Sequence, residues 1–239
     1  MVIDRLQIFL GKPFKFNEHV NIYSPTIQEI ADIGYIEYLM NFHLTTFDKE
    51  KILIDLYSLD KETYQQIQDV SDYEILVSEA AIRNEICRSL AFFVREEVAF
   101  NKLNSTFEVN GHEFVNSQNY KNVSSIIRKL NGLSESSDEI KAVNKTADEL
   151  YKKMQAFENM NSANEDAPEL KDILTILCNM EGNGINIFNV SQLTIYQVYE
   201  QFEMATKKEE YKMLLPVWSN EKALPENSEL PNWKSKTTI

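Results

Sequence analysis

Histidine, cysteine and paired carboxylates are the side chains from which metal sites, nucleophiles and acid–base pairs are built, and this chain places few of them in useful patterns. His19, His43 and His112 are far apart in sequence. None stands in an H-x-x-x-H or H-E-x-x-H setting that would put two metal-binding or catalytic groups on one helix face. Cys87 and Cys178 have no second cysteine at zinc spacing. Both lie in apolar stretches, Ile86-Cys87 and Leu177-Cys178, as buried free thiols of a reducing compartment do. The acids of Glu96-Glu97 and Asp138-Glu139 are adjacent, so on a helix they point apart and cannot share a proton. There is no G-x-S-x-G, P-loop or G-x-G-x-x-G. Gly182-Asn183-Gly184 follows a helical pattern instead of opening one, which makes it a helix stop and not a phosphate cradle. The expectation is a protein that is not an enzyme and uses no metal or cofactor.

The charge narrows the partners. Against 24 Lys and Arg stand 37 Asp and Glu, a formal charge of −13. No basic cluster interrupts it, so duplex DNA, RNA and anionic membranes are disfavoured as partners. No apolar run approaches the length of a membrane span. The opening Met1-Val2-Ile3-Asp4-Arg5-Leu6 has an acid and no basic region before its apolar residues, so no secretory signal is expected.

The elements that must position any site read as helices. Only 6 Gly and 6 Pro occur in 239 residues, too few turn-formers for a β-sandwich, while 13 Phe and 11 Tyr supply a core. The expected fold is mainly α, a multi-helix globular protein with one small antiparallel β-hairpin and a flexible C-terminal tail. Residues 1–22 read as an arm or edge strand, with a short strand at Val20 to Tyr23. Residues 23–132 read as a helical domain. Ser24-Pro25-Thr26 starts a helix, with Thr26 and Glu29 offering a capping box. That helix is expected to run to His43 through Gly34. Thr46 restarts a helix to Leu56, Asp60 to Val70 is short and exposed, and Ser78 to Phe100 is long and apolar on one face. Asn110-Gly111, between alternating residues, signals a hairpin with a type I′ turn. Tyr120 to Leu130 returns to helix, closed by Asn131-Gly132.

Residues 133–166 combine a long amphipathic helix and a polar linker. Ile140, Val143, Ala147, Leu150, Met154 and Phe157 step by three and four, the spacing of a coiled-coil seam. The seam packs either on the chain's own core or on a partner, and self-association is left open. The segment 167–214 carries a helix from Glu169 to Met180 and then a second start, with Thr194 capping and Gln197 reaching back. Ile195, Val198, Tyr199 and Phe202 share one face of that helix. The expected tail, 215–239, holds Trp218 and Trp233, residues that often anchor to partners. The candidate partner-binding residues are therefore Ile195, Tyr196, Tyr199, Phe202, Leu150, Met154, Phe157, Trp218 and Trp233. The structural caps are Ser24, Thr26, Glu29, Thr194 and Gln197.

Four patches, in order, carry a resemblance. They are Tyr23 to Gly34, Ser89 to Val98, Asn119-Tyr120 leading to Ile126-Ile127, and Leu193-Thr194-Ile195-Tyr196-Gln197-Val198-Tyr199-Glu200-Gln201-Phe202. With them the chain resembles tail assembly chaperones and tail-module proteins of tailed phages and prophages of low-GC Gram-positive bacteria. The resemblance implies a non-catalytic protein of the host bacterial cytoplasm, acting during phage assembly. Its implied partners are phage tail proteins: the apolar, helical tape-measure protein and the major tail protein of the tube. A structural virion component, or an adaptor for a host protein, is the competing expectation.

Overall fold

Local capping sets where the helices begin. The computed structural model describes residues 4–133, 169–218 and 232–237. Helix α1 (Arg5–Phe9) starts from Asp4, whose carboxylate accepts from the Leu6 and Gln7 amides. Strands β1 (Phe14–Lys15) and β2 (Asn21–Ile22) then pair antiparallel. Residues 4–22 thus hold a helix and a hairpin, and Ile8, Val20 and Ile22 are buried in the chain's own core.

Helix α2 (Ile27–Ile33) starts at Thr26 with the expected reciprocal bonds. The Glu29 amide donates to Thr26 Oγ1 at 3.2 Å, and the Thr26 amide donates to Glu29 Oε2 at 2.7 Å. Pro25 precedes this cap, and Ser24 is not part of it. The single helix expected to reach His43 is broken at Gly34. Its φ of 91° with ψ of 143° is open to glycine and not to a side chain. A second helix, α3 (Tyr35–Leu44), follows at once. The restart after Thr46 is a π-helix, Lys51–Leu56. Helix α4 (Lys61–Gln66) buries none of its residues, as its polar sequence requires.

Helix α5 (Asp72–Ser78) leads to α6 (Ala80–Val94). The latter stops six residues before the expected Phe100, because Arg95 turns left-handed at φ 59° and its amide closes on the Ala91 carbonyl at 2.8 Å. Val98 to Phe100 extends the apolar pattern of α6 in sequence but forms strand β3 (Val98–Asn101). With β4 (Thr106–Val109) and β5 (His112–Val115) it builds a three-stranded antiparallel meander. The β4–β5 turn lies at Asn110 and Gly111, with φ of 51° and 77°, the two positive values a type I′ turn needs. A third strand is the physical remedy for a hairpin that would be marginal alone.

Helix α7 (Tyr120–Leu130) turns Val123, Ile126, Ile127 and Leu130 into the core and ends at Asn131. Helix α8 (Leu170–Asn179) is capped reciprocally by Glu169 and Asp172. Helix α9 (Ile195–Trp218) opens with the expected box: the Thr194 amide donates to Gln197 Oε1 at 2.8 Å, and the Gln197 amide to Thr194 Oγ1 at 3.2 Å. Thr194→Ala is therefore expected to cost about 1 kcal/mol, read as a lower urea midpoint. Residues 215–218, expected in the tail, belong to α9. The protein is mainly helical with small antiparallel sheets, and residues from Ile8 to Phe202 contribute to one continuous core.

Candidate partner-binding surface

The starts of α2 and α9 lock together. Ile27 donates its amide to the Leu193 carbonyl at 2.9 Å, and Ile195 donates to the Pro25 carbonyl at 2.8 Å. Thr26 and Thr194, both helix caps, face each other in an isolated antiparallel bridge. Each chain segment thereby gives an otherwise orphaned helix-end amide a carbonyl partner. Ser24 Oγ accepts from the Tyr196 amide at 3.3 Å, which is the actual use of that hydroxyl. Tyr23 donates its amide to the Phe93 carbonyl at 2.8 Å, while Arg95 pairs with Glu29 at 2.8 Å and lies 4.2 Å from the Tyr23 ring centre. Three of the four patches behind the resemblance meet in this joint. The remaining patch supplies Tyr120, Ile126 and Ile127 to the core.

Behind the joint, the first half of α9 is held from within. Ile195, Tyr196, Tyr199 and Phe202 are all buried, at 0, 3, 7 and 8 % exposure. The aromatic face expected to meet a partner is therefore core, and it packs the helix onto its own chain. Tyr38 donates its hydroxyl to Asn131 Oδ1 at 2.8 Å, and the Asn131 amide group donates to the Ile127 carbonyl at 2.7 Å. Burial raises the Tyr38 and Tyr199 phenols well above their usual range, so both stay neutral.

His43 is another buried group, 3 % exposed. Burial first, then the Lys51 and Arg128 cations, hold its imidazole down at about 4 from 6.5. A depressed histidine pKa means that the unfolded chain takes up the proton first. Its stabilising contribution is therefore full above pH 6.5 and is lost as pH falls toward 4. The expected loss is about 3 kcal/mol across that window. Urea midpoints measured along it should fall, and should fall less for His43→Gln.

The second half of α9 leaves the core. A 24-residue helix spans roughly 36 Å at ~1.5 Å per residue. From Lys212 to Pro216 its residues are exposed, Met213 at 68 % and Leu214 at 38 %. Met213 and Leu214 are about 100° apart around the axis, so the apolar surface is broad at this end. The α8–α9 connection adds a second apolar feature. Ile187 and Phe188 are 73 % and 88 % exposed. Asparagines fix their backbone: Asn186 Oδ1 accepts from the Phe188 amide, Asn189 Oδ1 accepts from the Asn186 amide, and the Asn189 side chain donates to the Gly184 carbonyl, each at 2.9 Å.

Between that connection and α9 lies a cleft of about 200 Å³ lined by Met180, Asn183, Met204, Ala205 and Trp233, with Lys208 among its charged residues. Residues 232–237 lie back along α9. Thr237 donates its hydroxyl to Glu200 at 2.6 Å, and Lys207 donates to the Lys236 carbonyl at 3.1 Å. Trp233 is therefore a half-buried wall of the cleft. Trp218 ends α9. Leu150, Met154 and Phe157, with the whole seam from Ile140, lie outside the described residues.

The histidines, distant in sequence, are not all distant in space. His19 of the β1–β2 loop stacks on His112 of β5, with ring centres 3.6 Å apart and planes 4° from parallel. Parallel rings aim their nitrogen lone pairs along parallel planes, a poor arrangement for chelation. Among the described residues no group of three His, Cys, Asp or Glu could hold a metal ion. Cys87 is a half-buried thiol pushed up to about 11 by burial, the opposite of an activated nucleophile. No helix among the described residues is long and apolar enough to cross a membrane.

No curated protein and no solved structure matches the chain. Ile187, Phe188, Met213 and Leu214, together with the cleft, all fall inside one C-terminal stretch. That stretch, residues 151–238, matches the family model of the YomV second domain, a domain of the phage and prophage type.

Proposed function

We propose that the protein is a non-catalytic, phage-encoded tail assembly chaperone-like protein that binds apolar helices of a tape-measure protein in the host cytoplasm. The observation that carries this reading is the projecting end of α9, where Met213 and Leu214 are exposed on a helix whose other end is clamped in the core. Such an end can lie along an apolar helix of another protein, in the helix-to-groove manner of many recognition helices. The phage-type domain match over residues 151–238 supports it, because the exposed end lies within that stretch. So does the charge of −13, which keeps a protein with apolar contact groups soluble.

Co-expression with a phage tape-measure protein tests the proposal. The expected result is a complex and a gain in that protein's solubility, both lost with the Met213→Glu, Leu214→Glu double variant. No complex, and no gain in solubility, would remove the chaperone reading. Recovery of the protein in purified phage particles would favour the virion component instead.

A further inference from the structure

We propose that two copies of this chain associate through the α8–α9 connection, Phe188 of each copy entering the cleft between that connection and α9 of the other. The donor side is preorganised. Hydrogen bonds from Asn186 and Asn189 hold the loop backbone, so Phe188 is presented at 88 % exposure with little backbone freedom left to lose. The acceptor side is sized for a side chain. This open cleft offers about 200 Å³, in which Met180, Met204, Ala205 and Trp233 form the apolar part of a lining otherwise made of polar and charged side chains.

Knob and cleft also sit in the same stretch of chain. Asn183 lines the cleft, and Phe188 follows five residues later on a loop that returns to Gly184. A patch carrying both halves of a contact is self-complementary, which is the requirement of a two-fold interface that closes on a dimer.

Charge permits the pairing. The whole chain carries −13, which repels a second copy, yet Gly182 to Gln192 contains no charged residue. Around the cleft the signs are mixed, with Lys208 beside Glu181 and Glu209. The patch is small, so the dimer is weak and concentration-dependent. The contact does not depend on the α9 end that the proposed function uses, and its test needs no second protein.

Sedimentation velocity of the full chain, from low-micromolar to high-micromolar protein, is the experiment. The wild type should move from monomer to dimer. Phe188→Ser should weaken association by about tenfold or more, and Ala205→Glu, which obstructs the cleft, should do the same. Leu103→Ser, at a 95 % exposed leucine in the β3–β4 turn, should leave association unchanged. Circular dichroism and the urea midpoint of Phe188→Ser should match the wild type, because the residue is 88 % exposed and takes no part in the core among the described residues. A wild type that stays monomeric throughout overturns the proposal. So does a Phe188→Ser variant that dimerises as well as the wild type, or a Leu103→Ser variant weakened as much as Phe188→Ser.

Discussion

Lys49→Met is expected to lower the unfolding free energy by about 3 kcal/mol. Lys49 is a charged residue held at 6 % exposure just before the π-helix. Its ammonium donates to the carbonyls of Ile67, at 3.2 Å, Gln68, at 2.6 Å, and Val70, and stands 3.6 Å from the Asp72 carboxylate. These carbonyls belong to the turn that ends α4, where helical partners run out. One cation therefore gathers the end of α4, the connection behind it and the start of α5. Methionine keeps the length and apolar stem of lysine but offers no donor, which leaves several acceptors without their partner. Arginine is no substitute, because a planar fork does not match a convergent carbonyl cage. Urea unfolding followed by far-ultraviolet circular dichroism reads the loss. An unchanged midpoint would mean that water serves these carbonyls equally well.

Gly132→Ala should cost a similar amount, about 3 kcal/mol, for a different reason. Gly132 lies at φ 75°, where a side chain costs about 1–2 kcal/mol. A Cβ there would also meet Tyr199 Cδ2 at 2.6 Å and its Cβ at 3.2 Å. Tyr199 is buried on α9 and cannot swing outward, so overpacking adds about 1–3 kcal/mol. Gly182→Ala is the control. Its φ is 78°, but nothing lies within 4 Å of the added carbon, so only the backbone cost should appear. Equal losses in the two variants would show that Tyr199 yields freely and that the α7–α9 contact is loose. The near-ultraviolet signal of the tyrosines should change for Gly132→Ala alone.

Both effects involve positions whose importance is not legible in the sequence, and the reason is common to them. Local signals were readable because their partners lie within a few residues. The Thr26–Glu29 box, the Thr194–Gln197 box and the Asn110-Gly111 turn each satisfy backbone needs inside a single turn, and each occurs as the spacing predicts. The close of α7 at Asn131-Gly132 was readable for the same reason, but the tight approach of Tyr199 was not. Gly34 reads as a tolerated glycine in a long helix until its φ of 91° shows a break. Strand β3 hides because Val98 and Phe100 continue the apolar rhythm of α6, and only pairing with β4 reveals the change of period.

The face of Ile195, Tyr196, Tyr199 and Phe202 shows the limit most clearly. Its helical spacing is correct, yet spacing is identical for a core face and a docking face. What decides between them is the bond from Ile195 to Pro25 and from Tyr196 to Ser24, across most of the chain. The exposed end of α9 is hidden in turn, because residues from 215 onward read as tail. A continuous helix through them was written in the alternation of Glu209 with Lys212, paired at 2.6 Å, and of Glu203 with Lys207, also paired at 2.6 Å. The stacked His19 and His112 carried no sequence signal at all, since each sits in its own loop or strand.

Titration calorimetry of the protein against a purified apolar helical segment of a tape-measure protein, at several temperatures and two salt concentrations, tests the central claim most directly. Burial of apolar surface at the α9 end predicts binding with a negative heat-capacity change, little weakening at the higher salt, and loss of the signal in the Met213→Glu, Leu214→Glu variant. An absence of binding, or binding that the double variant leaves intact, would contradict the account.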